Sequence, residues 1–312
     1  MVPDILLIFL LAIAIDLALG DPPDAVHPVA WMGKVASLLE KGSLNKSPVT
    51  QFLYGAVITL VIMGLFVIPA YFILFYLKSL SAVVYVIVAA VLFKSAFSLR
   101  GLRQAARRVK RLLRENKLDE ARFEMRSLVS RNTRGLPRPL LVSATVESVA
   151  ENTSDSFVAP LFYFLLLGVP GAIAYRVVNT MDARIGYHGK YEYLGKFASW
   201  LDDILNFIPA RLTALLLVLA AFLCRRNGRK SWQIALSEHT KTESPNAGWP
   251  MAAVSGALNV QLEKVGHYKL GKVANPLVPE TIDDSLQLAQ VAMLAWSLIC
   301  LVVGGIYFVV AA

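Results

Sequence analysis

The chain is organised by long apolar runs separated by short polar stretches. A membrane-spanning helix needs about 20 consecutive, predominantly apolar residues. Phe52–Leu77 supplies 26 without a charge, Ser156–Tyr175 supplies 20, and Ser285–Ala312 supplies 28 with polar first turns. Three further segments are unusual. The stretch 5–19 contains Asp16, 79–93 has only 15 residues between Lys78 and Lys94, and 204–224 is interrupted by Pro209 and Arg211. A lysine at a helix end can snorkel to the interface, so 79–93 remains a candidate span. The pattern predicts an all-α, polytopic integral membrane protein forming a single membrane domain over 1–312. Its apolar segments lie near 5–19, 52–77, 79–93, 156–175, 204–224 and 286–312. Pro160, Pro170 and Pro209 are placed to break helices, so broken or re-entrant middle helices are expected. Irregular backbone at membrane depth is tolerated where it lines a cavity.

A different periodicity occupies 99–138. Leu102, Ala106, Val109 and Leu113 recur at helical spacing, Asn116 interrupts, and Ala121, Met125 and Leu128 resume. This is the signature of an amphipathic helical hairpin. Composition agrees with the membrane reading: 56% of residues are hydrophobic and 17% charged, against about 25% charged in soluble domains. The two cysteines, Cys224 and Cys300, both fall in apolar runs and exclude a disulfide scaffold. The net charge of +9 is concentrated: Lys94–Arg138 holds 14 basic and 4 acidic residues, a local +10. Beside apolar spans this reads as a cytoplasmic segment under the positive-inside bias, with no nucleic acid implied. Lys34, Lys41 and Lys46 place the far side of the first helix in the cytoplasm by the same rule. Asp4 and Gly20-Asp21-Pro22-Pro23 do not make a cleavable leader, so that first helix is expected to be retained.

Candidate chemistry sits at the ends of the apolar segments. Glu147, Glu151 and Asp155 follow at i, i+4 and i+8, one face of a helix. Three carboxylates there suit Mg²⁺, which takes oxygen ligands and bridges to phosphates; pairing with nearby arginines is the alternative. A second group is Asn179-Thr180-Met181-Asp182 with Gly186-Tyr187. A third is Asp202-Asp203 with Asn206, Pro209 and Arg211. Arg211 lies in an apolar run and needs an acidic partner, with Asp155, Asp182 and Asp203 as candidates, or a phosphate. A fourth, Ser244-Pro245-Asn246-Ala247-Gly248-Trp249-Pro250, reads as a tight turn entering a helix, where backbone amides could meet an anion. His27 is either a base or metal ligand, or a turn-stabilising residue. His188, His239 and His267 show no ligand spacing. Gly266–Val273 imitates a phosphate-binding loop but carries Val273 where the magnesium-binding hydroxyl belongs, so it is set aside.

Taken in order, these blocks resemble the adenosylcobinamide-phosphate synthase family of cobalamin biosynthesis (CobD/CbiB). The resemblance rests on Asp16…Gly20-Asp21-Pro22…His27-Pro28…Gly33, on Glu147–Asp155 with Ala159-Pro160 and Tyr163, and on Gly168…Pro170-Gly171 through Asn179, Asp182 and Gly186-Tyr187. Asp202-Asp203…Asn206…Pro209-Ala210-Arg211 and Ser244–Pro250 complete it. It covers about residues 10–275. The chain departs from the family pattern at Asn132, where Arg-Asp-Thr is usual, and at Ser156, where Asp-Gly is common. The resemblance implies a multi-pass ligase of the cell membrane with its active site facing the cytoplasm. It would join aminopropanol, or its O-phosphate, to a propionate carboxyl of adenosylcobyric acid, with ATP as co-substrate and Mg²⁺. The expected catalytic and metal-binding residues are Glu147, Glu151 and Asp155. The expected substrate-binding residues are Asp21, His27, Asn152, Asn179, Asp182, Tyr187, Asp202, Asp203, Asn206, Arg211, Ser244 and Asn246. Lipid is the obligatory partner, with room for a homo-oligomer or association with other corrinoid enzymes. A transporter, or a non-catalytic membrane sensor on the same scaffold, is the alternative class.

Overall fold

In the computed structural model of the chain, residues 2–40, 46–187 and 189–311 are described; Lys41 and His188 lie outside the described residues. Among the described residues the regular elements are helices apart from one short β-hairpin. In chain order the helices are α1 (Val2–Leu19), α2 (Pro28–Leu39), α3 (Pro48–Leu80), α4 (Ala82–Lys94), α5 (Arg100–Arg114), α6 (Leu118–Glu124) and α7 (Arg138–Thr153). They continue as α8 (Ala159–Ile185), α9 (Lys196–Leu223), α10 (Gly228–Glu238), α11 (Gly248–Leu258) and α12 (Pro279–Ala311), with β1 (Leu262–Lys264) and β2 (Tyr268–Leu270) between α11 and α12. Four helices among the described residues are long and apolar enough to cross a membrane: Pro48–Leu80, the continuous stretch Arg138–Ile185, Lys196–Leu223 and Pro279–Ile306. The protein is therefore an all-α polytopic membrane protein, as the apolar runs predict.

The sequence predicts one domain, whereas the contacts divide the chain into two compact units. The first comprises Met1–Arg100, Ala159–Leu205 and Cys300–Ala312; the second comprises Gly101–Val158 and Asn206–Ile299. In the first, α1 packs on α4, α3 packs on α2, α4 and α8, and α2 and α4 also pack on α8. Phe93 stacks on Phe164 at 3.9 Å between ring centroids.

Helix α4 corrects an expectation. It has 13 residues, about 20 Å of rise, short of the roughly 30 Å hydrocarbon core. Its terminal Lys94 does not snorkel into water. It is buried, 2.9 Å from Asp16 and 2.5 Å from Asp21. Asp16 is itself fully buried, and its second oxygen accepts the backbone amides of Leu99 and Arg100 at 3.2 and 3.1 Å. One charge cluster thus ties α1 to the end of α4 and to the turn that follows.

The middle helices are only partly broken. A π-turn at Ser154–Val158 separates α7 from α8, and within α8 Gly168 takes φ 69°, ψ −161°, two residues before Pro170. A side chain there would be strained, so glycine permits the break. By contrast α9 runs without interruption through Pro209. Proline supplies no N–H to the carbonyl four residues earlier, which is Leu205. The Tyr163 hydroxyl donates to that carbonyl at 2.8 Å, so the expected break does not occur.

In the second unit the basic hairpin forms as predicted. Leu102, Ala106, Val109, Leu113, Ala121 and Met125 are all buried, and Asn116 makes the turn with φ 57°. Arg108 pairs with Glu124 across the hairpin at 3.1 Å. Lys110 and Arg114 pair with Asp283 and Glu280 of α12. Gly266–Val273, the imitation phosphate loop, is largely the β1–β2 hairpin, with Lys264 opposite Tyr268.

Removing one partner of a buried ion pair strands the other charge and costs about 3–5 kcal/mol. Lys94→Met should therefore destabilise the protein by about that amount in a denaturant titration in detergent micelles. Lys94→Met combined with Asp16→Leu should recover part of the loss; a single variant as stable as wild type would show that the pair does not hold α1 to α4.

Candidate functional site

The first unit contains an open cavity of about 840 Å³. It is bounded by the loop after α1, by one face of α2, by the turn after α4 and by the last turns of α8. The loop is shaped by Asp21 and His27. The His27 Nδ1 accepts the Val29 amide at 3.1 Å and caps α2, with Pro28 at the first helical position. That fixes the ring so that Nε2 carries the proton in the neutral form, facing Asp21 at 3.9 Å. Of the two readings of His27, the structure shows the turn-stabilising one. Asp21 also accepts the Ser98 hydroxyl at 2.6 Å. Burial alone would raise the Asp21 carboxyl, but the facing His27 ring, the bonds from Lys94 and Ser98 and the Lys94 charge outweigh it and hold the group well below the usual carboxylate range.

Three cations face this cavity, Lys34 from α2 and Arg176 and Arg184 from α8, together with Asp21, Asp24 and Glu40. Lys34 and Arg184 are exposed and make no ion pair among the described residues. The Arg184 guanidinium lies over Gly33, where an added Cβ would sit 3.5 Å from it. Arg176 donates to Asn179 at 3.2 Å, and Asn179 donates to Asp202 at 3.3 Å, so these two residues orient the cation from behind. The Tyr191 hydroxyl donates to Glu40 at 3.2 Å.

Asp182 is hydrogen-bonded by Ser199 and faces Asp203. Its carboxylate packs so tightly on Gly186 that a Cβ there would come within 2.1 Å of it, which accounts for the Asp182…Gly186 spacing. Tyr187 is exposed and donates to the Ala183 carbonyl at 2.5 Å. The candidate residues of this unit thus form a cavity wall with a supporting layer. Lys34, Arg176 and Arg184, the cations themselves, are absent from the residues the sequence singles out. Arg176 follows an apolar run directly, and a charge in that position is the signal that points to it.

In the second unit the carboxylate of Glu147, on the acidic face of α7, is engaged by the protein itself. Glu147 is buried, with one oxygen accepting the Ser143 hydroxyl at 2.6 Å and the other taking the Tyr268 hydroxyl at 2.9 Å and Arg131 at 3.0 Å. Burial first, then the Glu147 charge, push the Tyr268 phenol far above its ordinary value and keep it a donor. Both carboxylate oxygens are engaged by protein donors and the charge is neutralised by arginine. No group of three or more His, Cys, Asp or Glu able to hold a metal occurs among the described residues. These donors do not fit Mg²⁺. Glu151 precedes the π-turn and Asp155 lies inside it, where the regular helical register of the predicted ladder is lost. Asn152 braces that turn, donating to the Ser148 carbonyl and accepting from Ser156 at 2.9 and 2.8 Å.

Arg211 is held by a carbonyl, a carboxamide and two rings in place of the predicted acid. It donates to Phe207 at 2.6 Å and Asn246 at 3.2 Å, and lies over Phe207 and Trp249 at 3.6 and 5.1 Å from the ring centres. Ser244 accepts the amides of Asn246 and Ala247 and makes the turn into α11. Asn206 is buried in α9.

Among proteins of known family, the CobD/Cbib protein family model matches residues 9–296. The "Cobalamin biosynthesis protein CobD" of Dehalococcoides mccartyi (strain CBDB1) is 56% identical over 305 residues, 98% of each chain. "Probable cobalamin biosynthesis protein CobD" sequences from Methanothermobacter thermautotrophicus and Pyrococcus furiosus are 39% and 43% identical, covering 93% and 83% of this chain and 95% and 85% of their own. No solved structure matches the chain.

Two outcomes follow from this geometry. A carboxyl held low in the folded state contributes stability above its unfolded value of about 3.9 and loses it as pH falls further. The stability gap between wild type and Asp21→Asn should therefore be full at pH 7 and narrow below about pH 4 in melts followed across pH. Glu147→Gln should cost about 3 kcal/mol by leaving Arg131 uncompensated. Titrating Mg²⁺ should shift the melting of wild type and variant equally; a shift confined to wild type would restore the metal reading.

Proposed function

The chain belongs to the CobD/Cbib protein family and to cobalamin biosynthesis, and from that premise we propose that it is a ligase forming an amide on a corrinoid. The substrates are a propionate carboxyl of adenosylcobyric acid and aminopropanol O-phosphate, with ATP activating the carboxyl. The observation that carries this reading is the balance of charge in the cavity of the first unit. Lys34, Arg176 and Arg184 answer the phosphate of an aminoalkyl phosphate, and Asp21, Asp24 and Glu40 answer its ammonium. Arg176 is pre-oriented by Asn179 and Asp202, so little ordering is left for the moment of binding.

The chemistry follows from the bonds exchanged. A carboxylate is a poor acyl donor, so its oxygen first takes the terminal phosphoryl of ATP and ADP leaves. The amine nitrogen then attacks the acyl carbon, the C–N bond forms, and inorganic phosphate departs with the carbonyl–oxygen bond electrons. The ammonium must shed a proton before attack. With Nδ1 committed to the Val29 amide and Nε2 protonated, His27 is a donor at this wall and not the base. The Glu147 group serves the fold, and no step is routed through a protein-bound metal. Ser95 and Ser98 line the cavity immediately before the basic helix α5 in sequence, so the positive-inside bias opens it to the cytoplasm, where ATP is available.

The test is incubation of the purified protein in detergent with adenosylcobyric acid, ATP and Mg²⁺, and with aminopropanol or its O-phosphate, resolving the corrinoids by mass. Addition of the amine phosphate with loss of water is expected. Arg184→Ala should raise KM for the O-phosphate about tenfold or more and affect free aminopropanol far less. An absence of amide product with both amines, from protein that melts normally, would reject the ligase.

A further inference from the structure

The second unit holds a cavity of a different character. Residues 126–134 surround about 480 Å³, lined by Arg126, Arg131 and Arg134 with Ser130, Asn132 and Thr133, and no carboxylate lines it. The loop is fixed before any ligand arrives. The Thr133 hydroxyl donates to the Arg122 carbonyl at 2.7 Å, and the Arg122 guanidinium returns two bonds to the Leu136 carbonyl at 3.1 and 2.9 Å. Asn132 accepts the Arg134 amide at 3.0 Å and sets the turn between the arginines. Arg131 is anchored at 3.0 Å to Glu147, which Ser143 and Tyr268 hold in place. Its Nε–H is nevertheless buried without a hydrogen-bond partner among the described residues. Arg126 and Arg134 are exposed and form no ion pair among the described residues. Only one of the three guanidinium charges is therefore compensated.

Like charges gathered around a pre-set concavity repel one another unless an anion is bound, and several guanidinium forks suit the oxygens of linked phosphates. We propose that this pocket binds the triphosphate chain of a nucleoside triphosphate, with Arg126 and Arg134 on its outer phosphates and Arg131 at its wall. The assignment rests on the ATP-dependent reading above and gives that co-substrate a place on this chain. The imitation loop at Gly266–Val273 reaches Glu147 through Tyr268 but contributes no residue to the lining of this pocket. Asn132, where the family pattern has an acid, leaves the pocket without a carboxylate that would oppose the phosphates.

The test is binding of ATP, inorganic tripolyphosphate and adenosine to the purified full chain by calorimetry, without corrinoid. ATP and tripolyphosphate should bind, and adenosine much more weakly. Arg126→Gln and Arg134→Gln should each weaken tripolyphosphate about tenfold, with unchanged melting. In wild type, ATP should protect Arg134 from an arginine-directed dicarbonyl reagent, a measurement that needs no variant. Unchanged tripolyphosphate affinity in both variants, or no protection of Arg134, would overturn the site. Because corrinoid is absent, such a failure leaves the ligation reading standing. Intact tripolyphosphate binding without any amide product would reject the ligation reading and spare this pocket.

Discussion

A primary ammonium buried at the end of an apolar helix is the constraint from which the first unit is built. Lys94 has almost no access to solvent, and an uncompensated charge in such a place is too costly to persist. Two carboxylates answer it from different parts of the chain: Asp16 inside α1 and Asp21 just beyond. Each has further duties. Asp16 takes the amides of Leu99 and Arg100 and so fixes the turn after α4. Asp21 takes Ser98 and faces His27, which begins α2. Neutralising one lysine therefore sets the positions of α1, α2 and the 95–98 turn together. These elements are the walls of the cavity that faces Arg176 and Arg184. An aspartate inside an apolar helix needs a partner; here it is the counter-ion that makes the site's frame possible.

The second unit solves a like problem with opposite sign. Glu147 is the buried charge, and Arg131, Tyr268 and Ser143 are its answer. The spacing of Glu147, Glu151 and Asp155 is real, and so is the shared face of α7 as far as Glu151. Spacing on one helix, however, does not reveal what stands opposite. Tyr268 arrives from a strand 121 residues away, and no local pattern announces it. The π-turn that contains Asp155 is equally silent in composition; the Ser156 hydroxyl bonds Asn152 across its start.

Much of the architecture was legible because it depends on periodicity. The basic hairpin reads directly from Leu102, Ala106, Val109 and Leu113, and the long spans from their lack of charge. What escaped depends on partners remote in sequence. Pro209 looks like a helix break until Tyr163 supplies the missing donor to Leu205. Lys94 looks like a snorkelling lysine until Asp16 and Asp21 are seen around it. Of the candidate site, Asp21 and His27 lie on the cavity wall and Asn179 and Asp202 support it, but Lys34, Arg176 and Arg184, which give the cavity its chemistry, are absent from the residues the sequence singles out. Lysine and arginine near a membrane are expected for topology alone, and that expectation conceals a binding role. Orientation of Arg184 toward Gly33 is a tertiary fact, visible only once α2 lies against α8.

On the proposed reading, electrostatics sorts the ligands between the two pockets. The cavity of the first unit sets three cations against three carboxylates, so its field is nearly balanced and favours a molecule bearing both signs. The pocket at 126–134 is lined by three arginines and no acidic residue, and favours a polyanion. A triphosphate entering the balanced cavity would meet Asp21, whose low proton affinity keeps it charged at any physiological pH. An aminoalkyl phosphate entering the cationic pocket would bring an ammonium that nothing there can pair. Each site therefore rejects the other's ligand by like-charge repulsion as much as it attracts its own. That is the separation a three-substrate ligation requires, because a nucleotide competing for the amine's place would stall the reaction before the amide bond could form.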